Sequence, residues 1–284
     1  ALLQPAALLV PPPGGGGPAA LTRFFLSSSH PEQGAVLASS PGEVARNSDV
    51  VFTIVGYPSD VRSVILGEDG ILANLKPGGI VVDMTTSEPA LAQEIAKAAA
   101  AKGCAALDCP VSGGDIGAKK GTLTIFAGGD EPAVEAVAPL LECMGKINKL
   151  GGPGAGQHCK MANQIGIANT MLGMCEGMLY AHKAGLDVPL YVEAIRNGGA
   201  GSKSIDLYSA RIFADDMEPG FFVKHFVKDL GIALDECRGM GIALPGLAVA
   251  QQLYVSLASF GEENLGTQAL IKVLERMNNT KIPR

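Results

Sequence analysis

Between Asp49 and Met144 the chain alternates short apolar runs with stretches of helical character, and this alternation constrains the fold more than any other feature. Asp49-Val-Val-Phe-Thr-Ile-Val55 is an almost unbroken apolar run of strand length, as expected for a parallel strand covered on both faces. Gly56-Tyr-Pro-Ser-Asp60 reads as a turn, with a short helix following through Leu66. Lys76-Pro-Gly-Gly79 is a second turn and leads into the strand Ile80-Val-Val-Asp83. Ser87-Glu-Pro89 has the chemistry of a helix start, with Ser as N-cap and Pro in the first turn. Alanine-rich sequence carries that helix to Lys102, where Gly103 stops it. Ala105-Ala-Leu-Asp108 and Leu123-Thr-Ile-Phe-Ala127 predict two further strands, and Asp130 opens a helix ending near Met144. Strands and helices at this spacing imply a parallel, doubly wound sheet of Rossmann type.

Such a sheet ordinarily opens with a strand, G-x-G-x-x-G and a helix, and an acidic or arginine switch follows the second strand. Neither is legible before residue 45, so the N-terminal strand unit of the fold is missing from the readable text. Pro11 to Pro18 contains only Pro and Gly, no acid precedes Glu32, Ser27 to Ser29 form a hydroxyl run, and Arg23 is the one Lys or Arg of 1–33. Three readings of that segment stand side by side. It has the composition of a weak organellar transit segment, of an unstructured tail, and of a wrongly joined N-terminus, the chain beginning at Ala1 rather than Met. Gly14 to Gly17 is flanked by prolines and is not a nucleotide loop, which needs a strand before it and a helix after it.

After Gly156 the period changes. Met161, Ile165, Ala168, Leu172, Cys175 and Leu179 recur at spacings of three and four, which predicts one helix over 157–184, about 40 Å long at 1.5 Å per residue. Gly166, Gly173 and Gly177 interrupt it at about 1 kcal/mol each, and close helix packing would compensate. No equally strong strand signal follows, and Asp187-Val-Pro189 and Ala243-Leu-Pro245 mark helix boundaries. The reading is therefore α/β plus all-α: an atypical segment 1–33, an incomplete Rossmann-like domain over 34–153, and a helical domain over 154–284 opened by the long helix.

Composition removes several function classes. Charged residues make up 18% of the chain and the net charge is −6, with no basic stripe to coat phosphates, so nucleic acid is not an expected partner. Apolar runs are short or broken, so no membrane span is expected. The six cysteines show neither CxxC nor zinc spacing and read as small buried hydrophobes in a reducing compartment.

Three constellations carry polar chemistry. Asp108-Cys-Pro-Val-Ser-Gly-Gly114 follows a strand's C-terminal end, where ligands bind in open α/β sheets. Its glycines let backbone N–H groups converge on a carboxylate, with Ser112 adding a hydroxyl, although an ordinary glycine-rich surface loop has the same composition. Gly156-Gln-His-Cys-Lys160-Met-Ala-Asn163 places Lys160 and Asn163 on one helix face. There the helix dipole and burial both disfavour the ammonium, so Lys160 is suited to proton transfer; a solvated lysine at a helix start is the alternative. Phe221-Phe-Val-Lys-His-Phe-Val-Lys228-Asp229 spaces Phe221, His225 and Asp229 by four, which fits either a site stripe or an amphipathic helix with packed aromatics.

In this order and at these separations the three motifs resemble those of the β-hydroxyacid dehydrogenases, the family of 3-hydroxyisobutyrate dehydrogenase and the glyoxylate/succinic semialdehyde reductases. The resemblance covers about residues 34–279, and Val55-Gly-Tyr-Pro-Ser-Asp60 and Asp83-Met-Thr-Thr86 are especially similar to plant-type members. It implies that Lys160 is the general acid for carbonyl reduction and the base for alcohol oxidation. It implies that Ser112, Gly113 and Gly114 hold the substrate carboxylate, with Asn163 beside Lys160. It implies further that Val55, Gly56, Tyr57, Pro58 and Thr86 line the dinucleotide, that Lys228 reaches the cofactor, and that Phe221 and Asp229 close the site. Gln164 stands where the family commonly has Asn and keeps an amide.

The implied activity is hydride transfer between NAD or NADP and a small β-hydroxy acid or semialdehyde, with no metal. NAD-dependent 3-hydroxyisobutyrate oxidation and NADPH-dependent reduction of glyoxylate or succinic semialdehyde both fit, because the strand that separates NAD from NADP is not readable. A non-catalytic relic or truncated product unable to bind cofactor is the reading of another class. A small carboxylate substrate, a homo-oligomer built on the long helix and the apolar stretch 242–257, and a mitochondrial or other organellar location, with a cytoplasmic one as the alternative, complete the expectations.

Overall fold

The computed structural model describes residues 38–283, together with the backbone alone of 6–9, 23–25, 36 and 37. The Pro- and Gly-rich run and the remaining expectations for 1–33 lie outside the described residues. The chain forms two compact units, Ala1–Lys160 and Met161–Arg284.

The first unit contains β1 (Ala6–Leu9), β2 (Arg23–Phe25), β3 (Val36–Ala38), α1 (Pro41–Arg46), β4 (Val50–Ile54), α2 (Pro58–Leu66), α3 (Ile71–Asn74) and β5 (Ile80–Asp83). It continues with α4 (Pro89–Ala100), β6 (Ala105–Asp108), β7 (Val111–Ser112), α5 (Gly114–Lys120), β8 (Leu123–Gly128), α6 (Glu131–Leu141) and β9 (Gly145–Gly151). The sheet order is β3-β2-β1-β4-β5-β6-β8-β7, with β9 paired to β8. Its centre is parallel: β4 pairs β5, and β5 pairs β6 with Asp83 opposite Asp108. Alternate residues of each strand enter different cores. Val51 and Val81 join Ile65, Ile71 and Ile95 on one face, while Phe52, Val82 and Leu107 join Ile125, Val137 and Leu141 on the other. Covering both faces is why these strands read as continuous apolar runs rather than as an alternation.

Several details differ from the sequence reading. β1 pairs antiparallel to β4, whereas a dinucleotide fold runs its first strand parallel to that neighbour. β8 joins β6 antiparallel, because the chain between them turns back through β7, which pairs antiparallel with β8. β9 gave no strand signal because Lys146, Asn148 and Lys149 break its apolar pattern. The N-cap of α4 is Glu88, not Ser87, whose N–H is taken by Gln157. Cys104, Cys109, Cys175 and Cys237 are buried as expected, but Cys159 is half-buried and Cys143 exposed.

Helix α7 (Ala155–Lys183) begins in the first unit and continues through the second. The second unit adds α8 (Val188–Arg196), α9 (Lys203–Phe213), α10 (Val223–Met240), α11 (Pro245–Ser259) and α12 (Leu270–Met277). One core holds Met171, Cys175, Met178, Phe226, Leu230 and Leu247. Phe226 meets Tyr254 edge-on at 4.8 Å between ring centroids, and the Tyr254 hydroxyl donates to Thr267 O at 3.0 Å. Asp187 caps α8 by accepting the Leu190 N–H at 2.8 Å. Of the three glycines expected to allow close packing, Gly177 does so: a Cβ there would lie 2.5 Å from the Tyr191 hydroxyl. Gly166 and Gly173 meet no neighbour within 4 Å, so close packing does not explain them. Among the described residues no helix is long and apolar enough to cross a membrane.

Candidate active site

The strand β6 ends in Asp108, which is 3% exposed. One carboxylate oxygen accepts the N–H of Gly154 and the other that of Gln157, both at 2.8 Å. Asp108 thus satisfies N–H groups at the opening of α7 that have no partner within the helix, where the dipole also favours an anion. Burial pushes the Asp108 carboxyl up, against the pull of these N–H groups. The helix start lies directly on the strands. A Cβ at Gly156 would stand 2.3 Å from both Asp108 O and Phe126 O, so only glycine fits.

One turn further, Lys160 is 7% exposed and its Nζ donates to Val111 O at 2.8 Å. Val111 and Ser112 form β7, and Gly113 and Gly114 follow with φ of 128° and 63°. Ser112 is half-buried, while the two glycines are exposed. The fold therefore brings Lys160 against the segment leading into Ser112, Gly113 and Gly114, two motifs that are far apart in sequence.

A second group lies at the C-terminal ends of β4 and β5. Asp83 accepts the Thr53 hydroxyl at 2.8 Å and the Thr85 N–H at 3.1 Å, and the Thr85 hydroxyl accepts the Val55 N–H at 2.9 Å. Burial raises the Asp83 carboxyl to about 6, opposed by the Thr85 and Thr53 hydrogen bonds. Val55, Gly56, Pro58 and Thr86 are half-buried and Tyr57 is exposed. Gln157, fully buried, donates from Nε2 to Thr85 O at 2.7 Å and accepts the Ser87 N–H at 2.9 Å. The Ser87 hydroxyl is buried with no hydrogen-bond partner among the described residues. An orphaned polar atom beside the carboxyl edge of parallel strands fits a ligand held there. A G-x-G-x-x-G for a pyrophosphate does not occur ahead of β4.

In the second unit, Asn163 Nδ2 donates to Gln164 Oε1 at 2.7 Å, and Gln164 Nε2 donates to Asp229 at 2.6 Å. Lys228 Nζ lies 2.9 Å from the other Asp229 oxygen. Asp229 and Gln164 are both buried. The amide at position 164 thus does more than replace Asn, since it spans from Asn163 to Asp229. Phe221 precedes α10 rather than lying in it, and its ring stacks on His225 at 6.5 Å and meets Phe226 edge-on at 5.8 Å. Sequence reasoning missed Asp108 and Gln157 as structural partners of the site, and marked Gln164 as a retained amide without its link to Asp229. The one advance sign was their place inside the motifs that contain Lys160 and Ser112.

Two family models define the class of protein. The NAD binding domain of 6-phosphogluconate dehydrogenase matches residues 26–162, and the NAD-binding domain of NADP-dependent 3-hydroxyisobutyrate dehydrogenase matches residues 154–274. The chain is 63% identical over 252 residues to "Probable 3-hydroxyisobutyrate dehydrogenase-like 1, mitochondrial" of Arabidopsis thaliana, covering 88% of this chain and 75% of the relative. It is 37% identical over 250 residues to 2-hydroxy-3-oxopropionate reductase of Escherichia coli, covering 88% and 86%. The 3-hydroxyisobutyrate dehydrogenase of Mycobacterium tuberculosis, solved with L-serine, superposes with a TM-score of 0.77 at 29% identity, over 85% of this chain and 84% of that one. The chain belongs to the β-hydroxyacid dehydrogenase family of NAD(P)-dependent oxidoreductases.

Proposed function

We propose that the chain interconverts a small β-hydroxy acid and its carbonyl form, with Lys160 moving the proton. The observation that carries this reading is the seating of Lys160: buried, it donates from Nζ to Val111 O immediately before Ser112, Gly113 and Gly114. The left-handed φ of both glycines orients backbone N–H groups in a way few other residues allow. Those N–H groups and the Ser112 hydroxyl hold the substrate carboxylate, and an ammonium at Lys160 delivers its proton to the carbonyl oxygen during reduction. In the oxidative direction the neutral amine takes the hydroxyl proton, which avoids a free alkoxide. Asn163, Phe221 and Asp229 serve the substrate, while Val55, Gly56, Tyr57, Pro58, Thr86 and Lys228 serve the dinucleotide. Bound NAD or NADP supplies or receives the hydride.

The domain assignment within this proposal is 34–153 for the dinucleotide and 154–284 for substrate and self-association. The reductase relative from Escherichia coli favours the reductive direction on a short semialdehyde as a second reading. The Arabidopsis relative is named mitochondrial, which favours an organellar location. Exposed apolar side chains at Tyr180, Leu190, Ile242 and Val249 favour a homo-oligomer.

A panel of three- and four-carbon hydroxy acids and semialdehydes, assayed with both dinucleotides, tests the activity. Lys160→Ala is expected to reduce turnover by at least about a hundredfold with cofactor binding retained. Equal turnover in the two proteins would overturn the role given to Lys160, and no turnover on any member would overturn the activity.

A further inference from the structure

The buried amide of Gln157 is used by neither the hydride step nor the proton step. Its Nε2 donates to Thr85 O at 2.7 Å and its Oε1 accepts the Ser87 N–H at 2.9 Å, so one side chain meets a peptide segment as a neighbouring strand would. Its own backbone N–H is held by Asp108 at 2.8 Å. On the far side, Thr85 holds the Val55 N–H through its hydroxyl, and its own N–H is fixed by Asp83. The chain of bonds runs from Val55 through Thr85 and Gln157 into the helical turn that carries Lys160. We infer that Gln157 is a positioning residue that locks the Thr85–Ser87 loop to that turn and so fixes the distance between the dinucleotide-side loop and the Lys160 amine. The inference rests on the functional reading above for the meaning of that distance, but the clamp itself is measurable without turnover.

The amide works because it offers one donor and one acceptor. Glutamate has the same shape, and only its protonated form offers the same pair. Ionised, Gln157→Glu turns an acceptor toward Thr85 O and adds a third buried carboxylate to Asp83 and Asp108. Burial among carboxylates raises the new group above its ordinary value, so the clamp re-forms as pH falls through that raised value and opens above it. Gln157→Leu fills similar volume with no polar atom and has no such pH dependence.

The test is acylation of lysines by a water-soluble ester between about pH 5.5 and 8, read by mass spectrometry as Lys160 relative to Lys119, whose side chain is 79% exposed. A released Lys160 is expected to label at least about threefold faster than in the parent chain, the equivalent of a lost hydrogen bond. Gln157→Leu shows this excess at every pH. Gln157→Glu shows it near pH 8 and loses most of it near pH 5.5. Where the parent chain turns over, kcat falls about tenfold to a hundredfold with a smaller change in KM, following the same pH pattern. Parent-like Lys160 labelling in both variants at all pH values would overturn the inference, as would an excess in Gln157→Glu that does not vary with pH. If Gln157→Glu unfolds at high pH, Gln157→Leu decides through its labelling alone. Absent turnover in the parent chain counts against the functional reading, while labelling still decides the clamp.

Discussion

Gly156 and Gly166 lie on the same helix with opposite requirements. A methyl group at Gly156 would collide with the carbonyl oxygens of Asp108 and Phe126, both 2.3 Å away, whereas one at Gly166 meets nothing within 4 Å. Gly156→Ala is therefore expected to destabilise the protein by about 3 kcal/mol, through overpacking against backbone that cannot rotate away. Gly166→Ala is expected to stabilise it by about 0.5–1 kcal/mol through helix propensity and a less free unfolded chain. Urea unfolding of the two variants checks both signs, and a matching shift in both would contradict the distinction. The sequence showed Gly166 as an interruption of a periodic stripe and Gly156 as the residue just ahead of it. It did not show which one lay on a carbonyl, because that neighbour arrives from strands β6 and β8.

At the scale of elements, strands β5 and β6 end side by side in buried acids, Asp83 opposite Asp108. Burial raises Asp83 to about 6 and raises Asp108 as well. An acid with a raised folded pKa binds its proton more readily when folded, so the folded state gains protons over the unfolded state between about pH 4 and 6. Stability contributed by Asp83 is thus greatest below that window and falls as pH rises through it. The size is about 3 kcal/mol at most, at about 1.4 kcal/mol per pH unit. Asp83→Asn keeps an acceptor for Thr53 and Thr85 but cannot ionise. Unfolding free energies measured across pH 4–7 are expected to fall less steeply in this variant; an unchanged slope would show that Asp83 does not carry the linkage. In the second unit, the spacing of Phe221, His225 and Asp229 suggested one helical stripe, yet α10 starts at Val223 and Phe221 enters from the preceding segment. Helical spacing identifies candidate neighbours but not where a helix begins.

At the scale of the whole molecule, β1 runs antiparallel to β4 and the sequence ahead of β4 carries no glycine fingerprint. Titration of NADH and NADPH fluorescence by this chain is expected to saturate, with affinity at least about tenfold weaker than an enzyme with a complete pyrophosphate loop, because the sequence ahead of β4 carries no G-x-G-x-x-G to bring backbone N–H groups onto the phosphates. No saturation at millimolar cofactor would leave family membership without the activity. Gel filtration is expected to give a dimer or larger, and a monomer would remove the role proposed for the exposed apolar residues of the helical unit.

The sequence by itself determined the alternating strands and helices of the first unit, the helical second unit, and the motifs around Ser112, Lys160 and Asp229. Those features rest on local apolar periodicity and on short spacings, which a linear text preserves. The tertiary structure decided the rest. It placed Lys160 on Val111 O, fixed the start of α7 on Asp108, and joined Gln157 to Thr85 and Ser87 across about seventy residues of chain. It also reversed β8 and added β9 to the sheet. Each of these depends on hydrogen bonds between backbone and buried side chains from distant elements, and such partners leave no period in the sequence.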